Sequence, residues 1–275
     1  MTSSATHGFV LVVLSQPDNA RFCLEAASQI TNAFDEAQIE VLCIPADWTK
    51  LLTAEEVVSK SRQAALQAAT AKCATAIHTI YDNWHSENYE KIGRRTVWNA
   101  PLKVNRGWLC TRARGADLIV LASPRASHDF YGRQTLRELL IDAERPILVV
   151  SGAPPPVIGR SIAILWDNEP QTAKAVLDAM PLIARAKRVF IFTAHDNQGQ
   201  QLPQPFIDHG VSAQIHRIQP TFRALGQALL DQAHGLHADL LVVGAYVHHP
   251  LIEILVGGVT RYMLSHADLP VLMRH

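Results

Sequence analysis

Short apolar runs alternate with amphipathic segments along the whole chain. Phe9–Leu14 is an apolar run too short for a helix and is followed by a turn at residues 15–18, so it predicts a buried strand. Residues 18–34 carry apolar side chains at helix spacing, and residues 39–44 again have the pattern of a strand. This alternation predicts parallel strands that are covered by helices on both faces and joined by right-handed crossovers.

The same alternation continues to the C-terminus. It predicts further strands at residues 96–98, 118–121, 147–150, 161–166, 188–193, 211–218, 240–243 and 271–273. It predicts helices at residues 53–81, 103–114 and 170–184, with a two-turn helix near 205–208.

The two halves of the chain end in similar segments, which indicates an internal repeat. Residues 238–246 lead through 257–261 to 269–273 in the order strand, glycine turn, helix, strand. Residues 116–150 are a fainter copy of that unit. A length of 275 residues suits two domains of ordinary size. The three consecutive prolines at 154–156 indicate a linker, so the predicted division is 1–150, linker 151–157, and 158–275.

Charge and composition narrow the classes of function. Twenty-five basic and 25 acidic residues cancel without a long run of one sign, which argues against a protein that binds the nucleic-acid backbone. No apolar run approaches the ~20 residues of a membrane span, and the first seven residues do not have the pattern of a signal peptide. A cytoplasmic protein with neither nucleic-acid nor membrane partners is therefore expected.

The cysteines and histidines do not indicate a metal site. The four cysteines include no C-x-x-C pair, so buried free thiols are expected. His234 and His237 have no cysteine or acidic motif beside them, and the adjacent His248 and His249 point in different directions. The sequence thus requires no metal.

A ligand site is expected where two strands of the second half end. In open parallel sheets, ligands bind beyond the carboxyl ends of the strands, at the point where the strand order reverses. Asp167 follows the first strand of the second half and Gly244 follows the fourth. If those two strands are neighbours, both residues face one crevice.

Taken together, these residues resemble the universal stress protein family in its tandem two-domain form. The resemblance covers nearly the whole chain and is strongest over residues 162–273. It implies an α/β fold of two tandem Rossmann-like or flavodoxin-like sandwiches, each with a five-stranded parallel sheet, packed about a pseudo-two-fold axis. Residues 147–150 and 271–273 would then be edge strands, and pairing them across the axis would hide their hydrogen-bonding edges.

The resemblance also implies an ATP site in the second half. Nucleotide-binding members of the family carry an acid after the first strand and a Gly-x-x-Gly-x(9)-Gly-Ser/Thr loop after the fourth. Asp167 and Leu165 would face the ribose and base, and the glycine loop and following helix would hold the phosphates, because helix N-termini offer unpaired N–H groups. The implied set is Leu165, Asp167, Val243, Gly244, Val247, Gly257, Gly258, Val259 and Thr260.

This sequence departs from the family pattern at two positions. Val247 stands where the loop has its second glycine, and Gly258 stands where the family has a hydroxyl residue, although Thr260 lies close by. A structural alternative explains the same residues without a ligand. In that case Gly257 and Gly258 let a helix pack closely on the sheet, and Asp167 caps the helix that begins near Pro170.

The first half lacks the acid and the glycine loop of the nucleotide-binding members. Ser15 stands where Asp167 stands in the second half, and no matching glycine follows Ala122 at the end of the fourth strand. We therefore expect that the first half does not bind nucleotide in the manner of the family.

The resulting prediction is a non-catalytic stress-response protein whose C-terminal domain binds an adenine nucleotide. The sequence has no G-x-x-x-x-G-K-[ST], G-x-G-x-x-G or G-x-S-x-G motif. One alternative is an interaction protein in which both nucleotide sites are eroded. A second is a slow ATP hydrolase, for which Glu253 is the acidic residue in the loop region. Protein partners and further homo-oligomerisation stay open.

Overall fold

A computed structural model describes residues 9–34, 37–44, 60–101, 104–124, 130–193, 202–218, 225–245 and 258–275. The strands within these ranges are β1 (Phe9–Leu14), β2 (Gln38–Cys43), β3 (Thr96–Asn99), β4 (Leu118–Ala122), β5 (Ile147–Val150), β6 (Ser161–Leu165), β7 (Arg188–Thr193), β8 (Gln214–Arg217), β9 (Leu240–Gly244) and β10 (Val271–Arg274). The helices are α1 (Ala20–Thr31), α2 (Lys60–Asn88), α3 (Arg106–Arg114), α4 (Phe130–Glu138), α5 (Pro170–Asp178), α6 (Met180–Ile183), α7 (Gln204–Asp208), α8 (Leu225–Gly235) and α9 (Gly258–His266).

These strands form one continuous sheet in the order β3-β2-β1-β4-β5-β10-β9-β6-β7-β8. Neighbouring strands within each half are parallel, whereas β5 and β10 are antiparallel. The order of the second half repeats that of the first in reverse, as a two-fold axis between β5 and β10 requires. The predicted fold of two five-stranded α/β units is confirmed.

The contact between β5 and β10 joins the halves. Leu148 lies opposite Leu272, and the flanking pairs are Val149 with Val271 and Ile147 with Met273. All six side chains are buried. The sequence-based expectation that these two edges pair is therefore correct, and each half covers the open edge of the other.

Helices cover the sheet on both faces, as the alternating pattern predicts. One apolar core lies under α1, α2, α5, α6 and α7, and the other lies under α3, α4, α8 and α9. Successive residues of β1 alternate between these cores, because strand side chains point to opposite faces in turn.

Several predicted boundaries differ from the structure. The helix predicted at 170–184 is interrupted at Ala179, because Pro181 has no N–H to continue the hydrogen-bond ladder and instead occupies the first turn of α6. The strand predicted at 211–218 is only Gln214–Arg217. Helix α2 runs to Asn88, beyond the predicted end at 81, and its predicted start at residue 53 lies outside the described residues.

The segment between the halves has no regular structure, since residues 151–160 contain neither helix nor strand.

Among the helices that the structure describes, none is long and apolar enough to cross a membrane.

An aspartate at the start of the fourth strand holds the first strand in each half. Asp117 accepts a hydrogen bond from the Phe9 N–H at 2.7 Å. Its repeat, Asp239, accepts from the backbone N–H groups of Gly159, Arg160 and Ser161 at 2.7–3.1 Å. The repeated Ala-Asp-Leu sequence therefore has a structural role, and in the second half it also anchors the end of the linker.

We expect Asp239→Ala to destabilise the protein more than the matched change Asp117→Ala. Removal of the Asp239 carboxylate leaves three backbone N–H donors unpaired, whereas removal of the Asp117 carboxylate leaves one described donor unpaired. Loss of charge-assisted bonds of this kind costs about 1.5–3 kcal/mol. The measurement is urea unfolding of both variants and the wild type, and equal losses would contradict this account of the linker anchor.

Candidate functional site

The carboxyl ends of β6 and β9 form the switch point of the second half. The two strands are direct neighbours, with Ile162 beside Leu240 and Ile164 beside Val242. From β6 the chain crosses to β7 on one side, and from β9 it crosses to β10 on the other. Asp167 and Gly244 therefore lie at the same edge of the sheet, where α/β proteins bind ligands.

Asp167 organises the turn between β6 and α5. Its Oδ1 accepts a hydrogen bond from the Glu169 N–H at 3.1 Å and another from the Thr172 hydroxyl at 2.7 Å. Asn168 adopts a left-handed conformation, with φ 63°, and its Oδ1 accepts from the Trp166 indole N–H at 2.6 Å. One oxygen of Asp167 thus bonds to the N-cap residue Glu169 and to Thr172 in the first turn of α5. The structural alternative, in which Asp167 itself caps this helix, is wrong in that detail, because the N-cap is Glu169 and no side chain makes a capping bond there.

Gly244 is required by the close approach of α5. A Cβ at this position would lie 2.6 Å from the Thr172 hydroxyl oxygen and 2.8 Å from the Thr172 nitrogen. Thr172 itself is 1% exposed. Asp167, Thr172 and Gly244 therefore form one packed unit, although the sequence alone did not single out Thr172.

Of the segment that the resemblance assigns to the phosphates, the structure describes the part that begins at α9. A Cβ on Gly258 would meet no atom within 4 Å, so close packing does not demand glycine there. Gly258 is exposed and Val259 is half-buried, whereas Thr260 is buried at 1% exposure. The nearby hydroxyl that the sequence offers in place of the family's hydroxyl residue is therefore not exposed to solvent. Val247 and Gly257 lie outside the described residues.

Leu165 and Val243 lie on the two strands that lead into the site. Both side chains are buried in the core beneath α8 and α9. Their side chains pack in the core, so a ligand at this edge would contact the backbone groups of Leu165 and Val243 rather than their side chains.

The corresponding edge of the first half is built differently. The buried positions of α1 and α5 align without a gap, which places Ala20 at the position of Thr172. Strand register places Ala122 at the position of Gly244, and Ser15 follows β1 where Asp167 follows β6. The packed unit of the second half is therefore replaced by serine and two alanines.

Helix α2 also passes over this edge of the first half. The Cys73 thiol of α2 donates a hydrogen bond to the Ser15 carbonyl at 3.6 Å. No helix of this length follows β7, where the described crossover helix is the five-residue α7. The first half thus lacks the acid and the glycine, and a helix lies against the end of its first strand.

The cysteines are free thiols, as expected, and three of the four are buried. Burial raises the pKa of Cys23 and of Cys43 to about 12. Thiols with such a high pKa are largely protonated at neutral pH and react slowly. Among the described residues, no group of three or more histidine, cysteine or acidic side chains is arranged to hold a metal ion.

The fold and its switch points define a doubly wound α/β protein made of two repeated units. The sequence model of the universal stress protein family matches residues 213–275, which run from the start of β8 to the C-terminus. None of the curated proteins matches the chain.

Solved structures share the fold over almost the whole chain. A universal stress protein from Archaeoglobus fulgidus DSM 4304 superposes with a TM-score of 0.64 at 10% identity, covering 96% of this chain and 97% of that one. A Pseudomonas aeruginosa PAO1 protein of unknown function superposes with a TM-score of 0.60 at 16% identity, covering 98% and 92%. By sequence, residues 213–275 match the universal stress protein family, and the solved structures show the same fold over both halves.

The contact between Gly244 and Thr172 gives a test of the site's packing. Gly244→Ala should destabilise the protein by about 1–3 kcal/mol, because the added methyl overlaps the Thr172 hydroxyl and backbone. Adding Thr172→Ala should recover part of that loss, since the first half accommodates Ala122 opposite Ala20.

Urea unfolding of the two single variants and the double variant measures this coupling. Thr172→Ala alone serves as the control, because it removes the hydroxyl bond to Asp167 without adding a methyl at 244. Strictly additive losses would show that the two side chains do not compete for space.

Proposed function

We propose that the C-terminal half binds an adenine nucleotide, with ATP as the ligand, at the edge where β6 and β9 end. The observation that carries the proposal is the difference between the two copies of this edge. In the first half, Cys73 of α2 lies against the end of β1, and Ser15 and Ala122 stand at the key positions. The second half keeps Asp167, Gly244 and an exposed glycine at the start of α9.

Each part of the edge suits one part of the nucleotide. The ribose hydroxyls donate to the Asp167 carboxylate, which is held in a fixed orientation by its bonds to α5. The phosphates meet the backbone N–H groups of Gly258 and Val259 at the positive end of the α9 dipole. The space beside Gly258 allows a phosphate to approach the backbone there. The protein supplies binding in this proposal, and no catalytic group is assigned.

A second candidate is an interaction protein in which the C-terminal site no longer binds nucleotide. The observation that favours it is that contacts with α5 account for both Asp167 and Gly244 without a ligand. The two functions differ in a simple measurement, because only the first requires that purified protein binds ATP.

Gly258→Ala separates phosphate binding from folding. Because the added methyl enters open space and alanine favours helix, folding stability should stay equal or rise slightly. If the phosphates approach this backbone, ATP binding should weaken about fivefold, which corresponds to roughly 1 kcal/mol, while adenosine binding stays within about twofold. Isothermal titration of both ligands into both proteins gives the comparison.

The controls decide between the two candidates. Failure of the wild type to bind either ligand favours the interaction protein. Equal weakening of ATP and adenosine by Gly258→Ala would place the phosphates elsewhere.

Asp167→Asn tests the ribose contact with little change in the turn. The amide oxygen still accepts the bonds from Glu169 and Thr172, but the negative charge is lost. Binding of ATP and of adenosine should both weaken by about tenfold or more, as a charge-assisted bond of ~1.5–3 kcal/mol predicts. Asp167→Ala is the matched variant, because it removes both the negative charge and the oxygen that accepts the bonds from Glu169 and Thr172. Wild-type affinity in the asparagine variant would exclude the Asp167 charge from nucleotide recognition.

A further inference from the structure

A cleft of about 380 Å³ lies where the two halves meet, at the end of β6 opposite to Asp167. It is bounded by the C-terminal end of α1, by residues 157–160 at the end of the linker and the start of the second half, and by the end of α6. Ala33, which follows α1, and Arg185, which follows α6, occupy equivalent positions in the two halves and both line the cleft, so the cleft lies close to the pseudo-two-fold axis. Its volume is within the range of small-molecule sites, which occur preferentially at domain interfaces.

The floor of the cleft is apolar and its linker wall is fixed. Ile158 and Leu182 are 6% and 4% exposed and form the floor, and Ala33 lies beside them. The Gln29 side chain clamps the linker, because its Nε2 donates to the Pro155 carbonyl at 3.0 Å and its Oε1 accepts from the Ile158 N–H at 2.9 Å. A ligand would therefore meet a preformed apolar surface.

The rim of the cleft is cationic. Arg160, Arg185 and Lys187 line it, and no acidic residue is among the described lining residues. Arg185 donates to the Asn32 carbonyl at the C-terminus of α1, which gives it a structural role. Arg160 and Lys187 form no ion pair with any residue in the described ranges.

The first half shows that the fold does not need these cations. Strand register places Ala37 at the position of Lys187, and the aligned helices place Ala33 at the position of Arg185. Ala37 is fully buried at the start of β2, so this turn forms without a charged side chain. The positive charge at these two positions is thus a property of the second copy alone.

We propose that this cleft binds a small aliphatic anion. Its carboxylate or phosphate head lies between Arg160 and Lys187, and its aliphatic part covers Ile158 and Leu182. An inorganic anion would leave the apolar floor uncovered, and an uncharged aliphatic molecule would leave the two cations without a partner. This site is separate from the nucleotide edge, and its occupancy does not depend on ATP binding.

Titration with four probes tests the proposal on the full chain. Decanoate and decyl phosphate represent the two head groups, decanol lacks the charge, and inorganic sulfate lacks the aliphatic part. Decanoate, decyl phosphate or both should bind at least about tenfold more tightly than decanol and sulfate. The charged probe that binds more tightly shows whether the natural ligand carries a carboxylate or a phosphate. Higher salt should weaken binding of the charged probes, since the cations are exposed.

Variants locate the binding. Arg160→Gln combined with Lys187→Gln should weaken decanoate and decyl phosphate by about tenfold or more, with unchanged circular dichroism, because both side chains are exposed and unpaired among the described residues. Arg188→Gln is the control, since Arg188 is an exposed neighbour that does not line the cleft. The proposal is overturned if neither charged probe binds, if decanol binds equally well, or if the double variant binds like the wild type.

Discussion

The antiparallel pairing of β5 with β10 is the constraint on which the rest of the structure depends. It joins two five-stranded parallel sheets into one, and it does so with buried apolar residues on both sides. An antiparallel contact between two equivalent strands imposes a two-fold relation on everything attached to them. The same pairing brings the end of α1 beside α6 and forms the cleft that neither half contains alone.

The two copies have diverged in a coordinated way around the ends of their first and fourth strands. Threonine at 172 is compatible with Asp167 because the hydroxyl bonds the carboxylate, and its hydroxyl and backbone together leave no room for a side chain at 244. The first copy has Ala20 in place of the threonine, and it tolerates Ala122 in place of the glycine. A change at one of these positions therefore alters what the others can accept, which explains why the acid and the glycine occur together in one half.

The sequence predicts most of the fold and only part of the candidate site. β1 agrees residue for residue with its apolar run, since a buried strand requires apolar side chains on both faces. Thr172 and the contact of Cys73 with Ser15 could not be predicted, because both depend on how closely a helix approaches a strand end. The cationic cleft could not be predicted for a related reason: its residues come from the end of α1, the segment before β6 and the segment between α6 and β7, and become neighbours only through the two-fold packing.

The zero net charge of the chain conceals a local asymmetry along a single strand. Asp167 follows the C-terminal end of β6, whereas Arg160 precedes its N-terminal end. At ~3.3 Å per residue, these positions lie roughly 20 Å apart, beyond a Debye length of ~8 Å at physiological salt. The acidic edge and the cationic cleft therefore present separate electrostatic surfaces, and an anion in the cleft would neither occlude nor neutralise the proposed nucleotide edge. Because β6 is buried and hydrogen-bonded on both sides, it acts as a rigid spacer between the two candidate sites.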